Sequence, residues 1–269
     1  MDWSTPFREP CETSFVVILQ GVSFPLTLRM PDFTDGWAML SSRNADRLYL
    51  IGVQERSASN DSTLITFLTT RGELSARVRM HRGMRHAVIL LGGDALETGC
   101  EPIFDALDRD LATRDIGAVR IDCRCPGECA QCAIDTLLVC QYLDDEGVGD
   151  IVLVGWSFGA SVAVAAAAVA RNVRGVVAIS AREPTENCCR RLRSKPLLLL
   201  HGEKDRVTPV DSIARIAARC ESPHQLIVYP GAGHDLKEAR ESVNRDLMSW
   251  LTCTLDSSRA CSPVHQTVA

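Results

Sequence analysis

The ten residues from Ile151 to Ala160, IVLVGWSFGA, constrain this chain more than any others. They join a short β-branched apolar run to an alanine-rich helical run through one tight turn. A G-x-S-x-G pattern in that setting places Ser157 at the apex of a strand–turn–helix unit, the arrangement of a nucleophile elbow. Small residues are needed on either side, because side chains at Gly155 and Gly159 would run into neighbouring backbone. The five-residue pattern arises by chance in many chains, and its flanks are what make it specific.

The surrounding sequence supplies the sheet that such a turn requires. From about Thr63 onward, strand-like and helix-like segments alternate, the signature of a parallel sheet with helical crossovers. Leu64–Thr69 and Leu74–Met80 read as a leading hairpin turned at Arg71-Gly72. Strands follow at Ala87–Leu91, Ala118–Asp122, Ile151–Val154, Gly175–Ser180, Leu197–His201 and Gln225–Tyr229. Helices are expected over Pro102–Arg114, Glu128–Asp145, Phe158–Arg171, Val210–Arg219 and Leu236–Leu251. The alanines of the third of these suit close packing on a sheet. Phe15–Leu19, Leu26–Met30 and Arg47–Val53 read as further strands, and Ser57–Ser62 as a polar linker. The expected organisation is therefore 1–62 as a strand-rich extension of the same sheet, 63–255 as the main domain and 256–269 as a frayed tail.

Composition narrows the function classes. The 269 residues are 46% hydrophobic and 23% charged, enough for one large core. A net charge of −5 with no basic run flanked by aromatics argues against nucleic acid as a partner. No run approaches the roughly 18 apolar residues of a membrane span, and Met1-Asp2-Trp3-Ser4 has neither the basic nor the apolar region of a signal peptide. A soluble, cytoplasmic protein is expected, with most of its twelve cysteines as thiols.

Cys123, Cys125, Cys129 and Cys132 lie close together and could bind zinc as four thiolates. However, structural zinc draws on separated pairs, and this segment spans a strand end and a helix start. From a helix beginning near Glu128, the residues Cys129, Cys132, Thr136, Cys140 and Leu143 share one face. Core packing is favoured, as for Cys188-Cys189, and no metal is assigned.

A serine hydroxyl needs a base within hydrogen-bond reach and an acid to orient that base. After the strand Leu197–His201 comes Gly202-Glu203-Lys204-Asp205-Arg206-Val207-Thr208-Pro209. After Gln225–Tyr229 comes Pro230-Gly231-Ala232-Gly233-His234-Asp235. Both segments leave the carboxyl ends of strands, where open parallel sheets bind ligands.

In these three ordered motifs, over roughly Thr63 to Leu255, the chain resembles the α/β-hydrolase family, and within it the dienelactone-hydrolase-like and small-esterase branches. The resemblance implies the α/β-hydrolase fold: a mostly parallel twisted sheet with helices on both faces. The sixteen residues from Ala181 to Pro196 leave no room for a large lid, so a shallow, solvent-open pocket is expected. The resemblance also implies a triad of Ser157 as nucleophile, Asp205 as acid and His234 as base. Glu203, nearer the strand end, and Asp211, able to cap the next helix, compete with Asp205.

The implied oxyanion donors are the Phe158 amide, at a helix N-terminus, and the Asp94 amide after Gly92-Gly93. A carboxylate beside a developing oxyanion would oppose it, so Asp94 turns outward or another amide serves. Trp156 is a candidate for binding substrate or, equally, for core packing. The arginines of 182–193 form a solvated face or attract an anionic substrate. The dienelactone hydrolases themselves use cysteine where this chain has serine, so their particular substrate is not implied. The expected activity is hydrolysis of a small-molecule carboxylic ester or thioester through an acyl-enzyme, without a cofactor. Acyl transfer on the same triad, and a silent ligand-binding member of the fold, are the alternatives.

Overall fold

The computed structural model describes residues 12–19, 22–29, 48–58, 62–93, 99–182 and 189–256. The chain divides into a smaller unit, 1–54 with 66–73, and a larger one, 55–65 with 74–269.

The smaller unit holds two antiparallel strands, β1 (Glu12–Leu19) and β2 (Val22–Arg29), paired from Glu12 opposite Arg29 to Leu19 opposite Val22. β1 and β2 form a two-stranded sheet of their own. Only Gln20 and Gly21 separate the two runs, a spacing at which consecutive strands pair with each other. The same unit carries the first part of β3 (Leu50–Ser57) and the second part of β4 (Thr63–Thr69). There the Thr70 amide donates to the Tyr49 carbonyl at 3.0 Å.

The larger unit is built on β5 (Gly72–Arg79, from Leu74), β6 (His86–Leu91), β7 (Gly117–Asp122), β8 (Asp150–Trp156), β9 (Val173–Ile179), β10 (Leu197–Gly202) and β11 (His224–Tyr229). Their order across the sheet is β11-β10-β9-β8-β6-β7-β5. All the pairings from β11 to β7 are parallel, whereas β5 runs antiparallel to β7. The order reverses at β6 and β8, and β8 is the fourth strand from the β11 edge.

Strands covered on both faces must be apolar on both faces, and the central strands are. Val88, Leu90, Val152, Val154, Trp156, Val177, Ile179, Leu198 and Leu200 bury one face against α1 (Glu101–Ala112) and α5 (Arg240–Leu255). From these helices come Ile103, Leu107, Leu111, Leu247, Trp250 and Leu251, among others. The alternate residues Ile89, Leu91, Ile151 and Leu153 are equally buried, on the opposite face. There α2 (Cys129–Asp145) packs beside α3 (Phe158–Ala167), which lies against β8 and β9. Helix α4 (Val210–Arg219) joins β10 to β11.

Two helix ends differ from expectation for local reasons. The third helix stops at Ala167 rather than Arg171, and the Lys195 ammonium donates to the carbonyls of Ala167 (2.5 Å) and Ala170, satisfying its terminus. The last starts at Arg240 rather than Leu236, because Leu236 takes a left-handed backbone (φ 52°) and Lys237–Ala239 forms a 3₁₀ turn.

On α2, Cys132, Thr136, Cys140 and Leu143 are buried and Cys129 is half-buried. Among the described residues, no group of three or more His, Cys, Asp or Glu could hold a metal ion. The Cys132 thiol donates to the Cys125 carbonyl at 3.2 Å, and its contact with Cys123, together with burial, pushes the Cys123 thiol well above its usual range. Cys253 is disulfide-bonded. Among the described residues no helix is long and apolar enough to cross a membrane.

Candidate active site

The sheet delivers its chemistry at the carboxyl ends of β8, β9, β10 and β11. Ser157 directly follows β8 and directly precedes α3. Its backbone is left-handed (φ 54°, ψ −113°), an uncommon state for a residue with a side chain. Its amide still donates to the Ile179 carbonyl of β9 at 2.8 Å, so the sheet holds the turn at the position where the chain reverses.

The flanking glycines are steric necessities. A Cβ on Gly155 would sit 2.1 Å from the Gly159 carbonyl oxygen, and one on Gly159 would sit 2.1 Å from the Leu91 carbonyl oxygen. Both targets are backbone and cannot swing aside.

Asp205 follows β10 in a tight turn. Its Oδ1 accepts from the amides of Val207 and Thr208, both at 2.8 Å, and its Oδ2 accepts from His234 Nδ1 at 2.7 Å. The carboxylate is fully enclosed. Burial alone would raise its pKa, but the hydrogen bond from His234 and those from the two amides outweigh burial and hold it below the usual carboxylate range.

The two rival acids have other positions. Glu203 Oε2 accepts from the Gly231 amide at 2.7 Å, and Asp211 is exposed in the first turn of α4, whose N-cap is Pro209.

His234 lies in the turn after β11. An ionised Asp205 only accepts, so His234 Nδ1 carries the proton and Nε2 faces Ser157 Oγ with a lone pair at 3.0 Å. Ser157 Oγ–H donates to it. The turn is tied to its surroundings by Lys204 N–H to the Ala232 carbonyl (2.8 Å) and by Gly233 N–H to Glu238 Oε2 (3.1 Å). Three residues called from widely separated motifs thus meet in one continuous hydrogen-bonded line.

Two neighbours had no sequence signal. His201, the penultimate residue of β10, is wholly buried, and its Nε2 donates to the Thr208 carbonyl at 2.9 Å while lying 3.6 Å from Asp205 Oδ2. Burial holds its pKa below the ordinary histidine value, so it stays neutral beside the acid and steadies the loop whose amides grip Asp205. Ser180, at the end of β9, is equally buried and donates to the His234 carbonyl at 2.8 Å.

Of the two readings of Trp156, the geometry favours core. The residue is 2% exposed, and its indole N–H donates to the His234 carbonyl at 3.2 Å. Phe158 opens α3, so its amide lies at a helix N-terminus beside Ser157, the electropositive end. Asp94 lies outside the described residues. Ser157 has no solvent exposure and the His234 ring has 13%.

A family model described as the Dienelactone hydrolase family matches residues 115–252, just over half of the chain. A bifunctional esterase/perhydrolase of Acinetobacter calcoaceticus is 33% identical over 78 residues, covering 29% of this chain. The match spans only 28% of that relative's own length. A dienelactone hydrolase structure from Anabaena variabilis superposes with a TM-score of 0.60 at 18% identity, covering 74% of this chain and 97% of that one. An alpha-beta serine hydrolase homologue from Coxiella burnetii gives 0.59 at 22% identity, covering 71% and 99%.

Proposed function

This chain belongs to the dienelactone hydrolase family and has the α/β-hydrolase fold, and we propose that it is a serine hydrolase cleaving a carboxylic ester or thioester through an acyl-enzyme intermediate. One observation carries the reading: the unbroken line Ser157 Oγ, His234, Asp205, with spacings of 3.0 and 2.7 Å.

In the forward step His234 Nε2 takes the Ser157 proton as Oγ attacks the acyl carbon. The ring becomes an imidazolium, and Asp205, already ionised and gripped by two amides, stabilises that charge without moving. The negative charge on the former carbonyl oxygen is met by the Phe158 amide, with the Asp94 amide as the second donor. His234 then returns the proton to the leaving alcohol or thiol. Water, deprotonated by the same nitrogen, attacks the acyl carbon, and Ser157 leaves with its proton restored. Every step is proton or acyl transfer, so the proposal calls for no cofactor and only a small-molecule ester or thioester as partner.

A fluorophosphonate probe tests it. The wild-type protein should be labelled at Ser157, whereas folded Ser157→Ala should take up none and should lose turnover of short aryl esters by about 10⁴-fold or more. A folded wild type that resists the probe and leaves those esters intact would overturn the reading.

A further inference from the structure

The turn that carries His234 has no regular secondary structure, yet its ring must keep two partners at once. What fixes it is its own carbonyl oxygen, which accepts two hydrogen bonds from distant parts of the chain. Ser180 Oγ–H donates at 2.8 Å and Trp156 Nε1–H at 3.2 Å. Both donors are buried, at 0% and 2% exposure. With two donors the oxygen's lone pairs are filled, and the peptide plane cannot rotate without breaking one bond. The Trp156 ring adds a third restraint, its centroid lying 5.1 Å from that of the imidazole at a 56° tilt.

Ser180 reaches this oxygen by an unusual route. Its φ is 49°, left-handed like that of Ser157 one strand away. Each of the two serines closes the sheet through its amide, Ser157 onto Ile179 and Ser180 onto Leu200, both at 2.8 Å. Adjacent strands thus end in the same strained residue type, one presenting the hydroxyl to the imidazole and the other to the histidine backbone. A non-glycine residue with such a φ is strained, which asks for a compensating role.

We propose that Ser180 and Trp156 are positioning residues that clamp His234 through its carbonyl oxygen and so set the distance between its Nε2 and Ser157 Oγ. The clamp rests on the reading of Ser157, His234 and Asp205 as the catalytic line. Two donors on one acceptor support each other, so loss of either leaves the other in place and loss of both releases the turn.

The test uses Ser180→Ala, Ser180→Gly, Trp156→Phe, which keeps a ring without the N–H, and the double variant Ser180→Ala/Trp156→Phe. Each single variant should lower kcat about threefold and the double about a hundredfold, more than the product of the singles, with KM within about twofold. The downfield proton resonance of the His234–Asp205 hydrogen bond should broaden in the double variant. Ser180→Gly should match Ser180→Ala, since glycine accepts the backbone angle but lacks the hydroxyl. The clamp is overturned by a folded double variant with wild-type kcat, by a loss confined to KM, by an unchanged resonance, or by a Ser180→Gly as active as wild type. Should the double variant not fold, the three single variants and their resonances decide. An unlabelled wild type overturns the hydrolase reading instead, and the resonance still decides the clamp.

Discussion

Two buried carboxylates separate what this fold uses for structure from what it offers for chemistry. Asp135 on α2 and Asp205 after β10 are both fully enclosed, and both accept short hydrogen bonds, two at Asp135 and three at Asp205. Those at Asp135 come from one residue, Arg124: its Nε on Oδ1 at 2.6 Å and its amide on Oδ2 at 2.9 Å, with Nη2 as an ion-pair contact 2.6 Å from Oδ1. Asp205 divides its bonds between two loop amides and a histidine ring. Burial dominates at Asp135 and raises its pKa, whereas hydrogen bonds dominate at Asp205 and lower it. The partner of Asp135 is a permanent cation, so that pair has nothing to exchange. The partner of Asp205 is an imidazole whose other nitrogen meets the Ser157 hydroxyl.

The sharpest way to break this contrast is to remove the acceptor that waits for charge. Asp205→Asn should lower kcat by about 10⁴-fold on aryl esters while thermal melting changes little, because the asparagine retains the shape but favours the wrong imidazole tautomer. Arg124→Met should do the opposite. It leaves Asp135 buried without any side-chain donor, at about 3 kcal/mol, visible as a melting point lower by roughly 10 °C, with kcat per folded molecule near wild type. If Arg124→Met abolishes turnover in a protein that still melts normally, the division of roles is wrong. Replacing both partners, Arg124→Met with Asp135→Leu, should bring stability back to within about 1 kcal/mol of wild type in urea unfolding.

Acid unfolding sharpens the comparison further, because the two groups have opposite signs. With its lowered folded pKa, Asp205 contributes stability that is complete above the ordinary carboxylate value of about 3.9 and is lost as pH falls through the folded value. Asp135, with a raised pKa, contributes most below about 3.9 and progressively less as pH rises through its folded value. On acidification from neutrality, wild type should therefore gain in urea midpoint relative to Asp135→Asn, and then, below about pH 4, lose relative to Asp205→Asn. The smallest effect is expected at the rival acid. Glu203→Gln keeps an oxygen for the Gly231 amide and should change kcat by less than about threefold, while a loss near that of Asp205→Asn would reassign the acid.

Much of this arrangement was legible because it is local. The apolar runs placed β6 to β11 within a residue or two, and α4 matched at both ends, since strand periodicity and Gly/Pro punctuation act over a few residues. Ser157, Asp205 and His234 were legible because each follows a strand end in a loop of distinctive composition. Ser180 and His201 were not. A serine and a histidine at strand ends carry no mark of a left-handed backbone or of a partner 54 residues distant. Trp156 shows the same limit, since its neighbours in sequence say nothing of which way the indole N–H points. The early stop of α3 at Ala167, whose carbonyl Lys195 satisfies, likewise turns on a partner chosen in three dimensions.

The contact of Gly159 with the main chain leaving β6 bears on how this protein can change over generations. A methyl group there would meet the carbonyl oxygens of both Leu91 and Gly92, at 2.1 and 2.2 Å. In a mutational library, position 159 should therefore return glycine alone among active clones, while the solvent-facing positions of α4 and α5 admit many replacements. New substrate preferences would have to be acquired around a turn that cannot itself drift.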